Sequence, residues 1–205
     1  MILIGMLDSP YVRRCAVSFK RMGVPFEHQP VSVFRHYDRF AAVNPVVKAP
    51  TLVADDGTVL MDSTLILDHV ESLVPPERRL TPQDPAARLK VLRVQGLALA
   101  ACEKCVQLIY EQHQRPAEKR HEAWVARVTK QVHAAFALLE EAVAGAGPWL
   151  GGARPDAADV AVAVAWRFAQ FYAAETAIPP ERYPRLAAHS ARAEQLPEFA
   201  STPLD

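Results

Sequence analysis

The chain has 205 residues, half of them hydrophobic and 22% charged, with Lys plus Arg and Asp plus Glu balanced at 23 each. That length suits two modest cores, and the balanced charge supplies no field to hold a nucleic-acid backbone or an anionic membrane as a partner. No low-complexity tract points to disorder, and charged residues interrupt every apolar run well short of membrane-spanning length.

Met1-Ile2-Leu3-Ile4 lacks a basic lead-in and meets Asp8 and Pro10 too early for a signal-peptide core. Cys15, Cys102 and Cys105 cannot all pair within the chain, an odd and sparse number usual for reducing compartments. A cytoplasmic protein with reduced thiols is the expectation.

Ile2 to Met6 is predicted as a strand that stops at Asp8-Ser9-Pro10, where Ser9 suits a helix N-cap and Pro10 the first helical position. Val12, Cys15, Ala16, Phe19 and Met22 then recur at three- and four-residue spacing until Gly23 closes the helix. Phe26 to Pro30 reads as a second strand, completing a parallel β-α-β unit. Ser32 to Lys48 is expected to be irregular. Ala49-Pro50 leads into a hairpin of Thr51 to Ala54 and Val59 to Met61, turning at Asp55-Asp56-Gly57. Asp62-Ser63 introduces a second amphipathic helix that ends before Pro75-Pro76.

Four prolines between positions 75 and 85, set among polar and charged residues, mark an exposed linker. The predicted domains are therefore an α/β domain over residues 1–78 and an all-α helical domain over residues 79–205. Helices are expected from Ala86 to Glu111, Glu118 to Ala144, Ala157 to Ala174 and Pro184 to Leu196. Asp156-Ala157-Ala158-Asp159 opens the third with a variant capping box, a folding signal. Cys102-Glu103-Lys104-Cys105 has the spacing of a redox or zinc motif but lies within a helical pattern with no second ligand pair, so core packing is the reading and no metal is expected.

Singly, Ser-Pro at a helix start, Ala-Pro before a strand and Asp-Ser before a helix are common punctuation. Their order is informative. The stretches Ser9-Pro10-Tyr11-Val12-Arg13-Arg14, Asn44-Pro45-Val46-Val47-Lys48-Ala49-Pro50, Asp62-Ser63 and Asp156-Ala157-Ala158-Asp159 together resemble a cytosolic glutathione transferase across essentially the whole chain. The Ser-Pro-aromatic opening is most similar to the serine-type bacterial, tau-like and zeta-like members. That resemblance implies a thioredoxin-like first domain binding glutathione as co-substrate, an all-helical second domain, and a homodimer.

It also implies roles for single residues. Ser9 becomes the catalytic group: its hydroxyl and the positive end of the helix at Pro10 would favour the glutathione thiolate over the thiol. Ala49-Pro50 would be joined by a cis bond, turning the Ala49 backbone towards the tripeptide's cysteine. Ser63 would hold the γ-glutamyl carboxylate, Asp62 the α-amino group, and Lys48 the glycine carboxylate. The electrophile would bind where the first domain meets the helix from Ala86, with Tyr11, Tyr110 and Trp166 as candidate wall residues. Plainer readings stay open: Ser9 and Ser63 as N-caps, Pro50 as an ordinary trans proline, Lys48 as a solvated lysine. Arg13 and Arg14 would add positive field, at least one of them as a surface or interdomain contact. Three positions depart from the family pattern, with Val47 for glycine, Ala49 for a larger residue and Asp62 for glutamate. Isomerisation, peroxide reduction or a non-catalytic binding role are the alternatives to conjugation.

Overall fold

In the computed structural model, which describes residues 1–145 and 147–204, the first apolar run forms β1 (Ile2–Ile4), and Pro10–Met22 forms α1. Ser9 caps α1 with extended backbone, and Pro10 opens it without forfeiting a helical hydrogen bond. Gly23, at φ 68°, ends it by returning the N–H groups of Gly23 and Val24 to the carbonyls of Lys20 and Phe19. β2 (Glu27–Gln29), β3 (Thr51–Val53), β4 (Val59–Met61) and α3 (Ser63–Ser72) follow as the punctuation requires. The segment expected to be irregular contains a short helix, α2 (Tyr37–Ala41), whose Phe40 is fully buried.

The sheet order is β2-β1-β3-β4, with β1 parallel to β2 and antiparallel to β3, and β3 antiparallel to β4. This is a thioredoxin-like arrangement. Side-chain alternation splits β1 between two layers. Ile2 and Ile4 face a cluster built from Val31, Val33, Phe40, Val47, Ala49 and Val53. Leu3, paired with Leu52, turns to the opposite face, where α1 and α3 pack on the sheet. Every residue of α1 from Val12 to Phe19 is buried, and each large apolar side chain among them contributes about 1.5–3 kcal/mol.

By contacts the chain divides into two units, residues 84–194 and the remainder, so the C-terminal segment from Gln195 belongs with the first unit. Its α9 (Pro197–Ala200) lies on α1. The cause is Arg13, 1% exposed, whose Nε donates to the Thr202 carbonyl at 2.8 Å and whose guanidinium lies 5.6 Å from the Phe199 ring centre. Arg14 is also buried, so neither arginine is a surface group.

The second unit consists of α4 (Pro85–His113), α5 (Glu122–Ala142), α6 (Ala157–Phe171), α7 (Ala173–Thr176) and α8 (Pro184–Glu194). The alternating Ala and Val residues of α6 are buried on every side, as suits a central helix between α4 and α8. The capping box at its start is complete: Asp156 Oδ1 accepts from the N–H groups of Ala158 and Asp159, and Asp159 Oδ2 accepts from Asp156 N–H at 2.9 Å. Asp159 further takes the N–H groups of Leu150 and Gly151, tying the preceding turn to α6. Cys102 and Cys105 form no disulfide and are buried in the helical core, and burial pushes the Cys105 thiol up to about 12. Among the described residues no cluster of His, Cys, Asp and Glu could hold a metal ion, and no helix is long and apolar enough to cross a membrane.

Candidate active site

Strand register gathers the site. Ile4 lies opposite Thr51, and Thr51 lies opposite Met61. The loop leaving β1 at Ser9, the segment entering β3 at Ala49-Pro50, and the step from β4 into α3 at Asp62-Ser63 therefore reach one edge of the sheet, though up to 54 positions apart in sequence. Gly5 marks how closely the first two approach: a Cβ there would lie 2.6 Å from Val12 Cγ2 and 3.1 Å from Ala49 Cβ.

Ser9 is half-buried, and its Oγ accepts from Val12 N–H at a long 3.5 Å. The bond uses a lone pair and leaves the hydroxyl proton available to donate. Capping and thiolate stabilisation are compatible in this geometry, with the start of α1 adding partial positive charge beside the hydroxyl.

The Ala49-Pro50 bond is cis. Its approach is braced by two buried residues: Asn44 Nδ2 donates to Thr51 Oγ1 at 2.9 Å, and that hydroxyl donates to the Lys48 carbonyl at 2.8 Å. Asn44 also accepts from Val46 N–H through its Oδ1 at 3.1 Å. Val47, standing where the resemblance leads one to expect glycine, keeps glycine's left-handed backbone at φ 52°. Lys48 is exposed.

At the third segment Asp62 is the N-cap of α3, its Oδ1 accepting from Thr64 N–H at 2.8 Å, with φ at 75°. The capping role considered for Ser63 therefore belongs to Asp62. Ser63 is buried, and its Oγ accepts from Arg14 at 3.0 Å. Beneath it the Cys15 thiol is pushed up to about 12 by burial, against the lowering effect of Arg14, so it stays protonated and is no competitor as a nucleophile.

The three electrophile candidates are placed differently. Tyr11 is half-buried in the first turn of α1, and Tyr110 is 43% exposed on α4. Trp166, expected in a pocket wall, is instead a core residue at 4% exposure, packed edge-on against Phe136 and Tyr183 with ring centres 5.6 and 6.0 Å away. Helical spacing does not distinguish a wall aromatic from a core one. Asn44, Thr51 and Arg14 are the supporting residues to which sequence reasoning assigned no such role. Asn44-Pro45 carries a turn signal, but nothing local to Arg14 indicates that it turns inward.

The family model for the glutathione S-transferase N-terminal domain matches residues 3–78, and that for the C-terminal domain matches residues 122–192. The chain is 28% identical over 140 residues to an uncharacterized GST-like protein, YibF, of Escherichia coli (strain K12), covering 68% of each. It is 26% identical to a maleylacetoacetate isomerase of Pseudomonas aeruginosa over 87% of this chain and 82% of that one. Among solved structures, a glutathione S-transferase from Methylobacterium radiotolerans JCM 2831, in complex with glutathione sulfonate, superposes with a TM-score of 0.88 at 27% identity, covering 98% of this chain and 93% of that one.

Proposed function

The chain belongs to the glutathione S-transferase family, and from that premise we propose that it binds glutathione on the edge holding Ser9, Ala49-Pro50 and Asp62-Ser63, and transfers its thiolate to a small apolar electrophile. The observation that supports this reading most is the hydroxyl of Ser9, whose cap contact uses a lone pair and spares the proton, on the sheet edge shared with the cis proline. A thiol with an ordinary value of about 8.5 is mostly protonated at neutral pH. A hydroxyl donor and a helix start both favour the anion and so raise the reactive fraction.

In this reading Ser63 holds the γ-glutamyl carboxylate, Asp62 the α-amino group and Lys48 the glycine carboxylate, while Ala49 pairs through its backbone with the tripeptide's cysteine. Tyr11, in the same unit as Ser9, is the candidate contact for the electrophile. The reading extends to a cytoplasmic homodimer, for which the exposed Val59, Met61 and Leu65 on β4 and α3 offer an apolar surface, and light scattering checks the assembly state.

Ser9→Ala tests the central role. The expected result is glutathione affinity near that of the wild type with turnover reduced about 100-fold and the pH–rate profile moved upward. Unchanged turnover would remove Ser9 from the chemistry. The match to a maleylacetoacetate isomerase over most of the chain favours isomerisation as the second reading. The two differ in the fate of glutathione, consumed in conjugation and regenerated in isomerisation, so following free thiol through the reaction decides between them.

A further inference from the structure

Gly5 is buried just past the end of β1, where the parallel ladder to β2 breaks off. That ladder gives the Met1 carbonyl the N–H of Glu27 at 3.1 Å, and its period of two would give the Gly5 carbonyl the N–H of Val31. Val31 turns back instead and donates to the Gln29 carbonyl at 2.9 Å, closing a tight turn on Pro30. A side chain replaces the missing donor: His28 Nε2 lies 2.8 Å from the Gly5 carbonyl oxygen. Because a carbonyl only accepts, the proton of this contact sits on Nε2, which both the cation and one neutral tautomer of the ring provide.

The Gly5 peptide lies where the elements of the site meet. Its backbone, at φ 138°, leaves room for no Cβ, which would come within 2.6 Å of Val12 Cγ2 and 3.1 Å of Ala49 Cβ. Val12 is also the residue whose N–H donates to Ser9 Oγ. The turn from Met6 to Ser9, closed by Ser9 N–H on the Met6 carbonyl at 3.2 Å, leaves from the peptide plane that carries the Gly5 carbonyl. Glycine's freedom lets that plane rotate, and a buried carbonyl deprived of its donor would favour rotation, carrying the turn and Ser9 with it.

We propose that His28 is a positioning residue for the Ser9 hydroxyl: by donating to the Gly5 carbonyl it fixes the turn that carries Ser9 in the orientation that favours the glutathione thiolate. The proposal rests on the glutathione reading above. His28 acts from β2, a strand that holds none of the residues assigned to glutathione, so its effect falls on the sulfur through Ser9 and not through a ligand contact of its own.

The test is ultraviolet difference titration of the thiolate of bound glutathione in wild type, His28→Leu, His28→Gln, Ser9→Ala and the variant combining His28→Leu with Ser9→Ala. Wild type should bring the thiol midpoint below its ordinary value of about 8.5. His28→Leu should raise the midpoint by about one pH unit, a tenfold smaller thiolate-to-thiol ratio. His28→Gln, whose amide places an N–H near the position of Nε2, should stay close to wild type. On the Ser9→Ala background His28→Leu should add nothing, since the hydroxyl it positions is gone. An unchanged midpoint in His28→Leu overturns the proposal. So does a shift of full size on the Ser9→Ala background, or an equal shift in His28→Gln, either of which marks a contact that only holds the strand. Should His28→Leu fail to fold, His28→Asn, whose amide falls about one bond short, takes its place under the same criteria. A wild type that binds no glutathione, or binds it without lowering its midpoint, removes the reading beneath the proposal and the proposal with it; a lowered midpoint that His28→Leu leaves intact overturns the proposal alone.

Discussion

Asn44 and Thr51 close the segment that delivers Lys48, Ala49 and Pro50: the Asn44 amide donates to the Thr51 hydroxyl at 2.9 Å, and both side chains are buried. Because Asn44 also accepts from Val46 N–H, Asn44→Ala removes one buried and one part-buried hydrogen bond at once. The expected loss of stability is about 1–3 kcal/mol, read from urea denaturation. If this brace shapes the glutathione contact, KM for glutathione should rise with kcat little changed.

Val47 combines an unfavourable backbone with a favourable side chain. Its φ of 52° is costly for a β-branched residue, while the side chain packs against the cluster of Ile4, Val31 and Phe40. Truncation separates the two effects. Val47→Ala loses packing and keeps the strain; Val47→Gly loses the same packing and relieves it. The glycine variant should therefore be the more stable of the two by about 1 kcal/mol, reversing the usual preference for alanine. Urea midpoints measured side by side check the order.

The two uses of the Ser9 hydroxyl can be pulled apart by Ser9→Asp. Aspartate is a good N-cap acceptor but, when ionised, has no proton to donate and repels a thiolate. Ser9→Ala should cost about 0.5 kcal/mol, at the low end for a cap because the native contact is long at 3.5 Å. Ser9→Asp should recover that stability and show still lower turnover. Recovery of turnover along with stability would mean that the residue only caps the helix.

Asp156 gives a pH dependence whose sign is set by its surroundings. Burial first, and the nearby Asp159 carboxylate second, push its carboxyl up to about 6, above its unfolded value near 3.8. A carboxyl raised on folding binds its proton more tightly in the native state, so its contribution is full below about pH 4 and is lost as pH rises through about 6. His189 acts oppositely, since burial lowers its value and its contribution is lost as pH falls. Asp156→Asn keeps a cap acceptor and removes the titrating charge. Its stability relative to wild type should improve steadily from about pH 4 to pH 6 and then level off, which denaturation at a series of pH values will show. A flat difference would contradict this account.

Much of the fold can be read locally. Ser9-Pro10, Gly23, the Gly57 turn and the Asp156–Asp159 box each satisfy backbone groups or set a dihedral angle within a few residues, and each appears in the structure where the pattern places it. The order of these signals was also enough to indicate the family. Helix ends shifted where no such signal exists: α5 starts at Glu122, after a separate turn at 117–119, rather than at Glu118.

The assembled edge is different in kind. The segments carrying Ser9, Pro50 and Ser63 are brought to one edge through the register Ile4, Thr51, Met61, and a register is a property of paired strands that no single strand carries. The two adjacent arginines make the same point more sharply. In sequence they are interchangeable cations on one helix, yet Arg13 holds the returning C-terminal segment and Arg14 holds Ser63. Trp166 is a core residue for the same reason, because helix periodicity sets a direction and only packed neighbours decide what lies in it. Local backbone chemistry determined the elements and their limits; long-range burial, which has to find a partner for every enclosed charge and hydroxyl, decided which of these residues form a site.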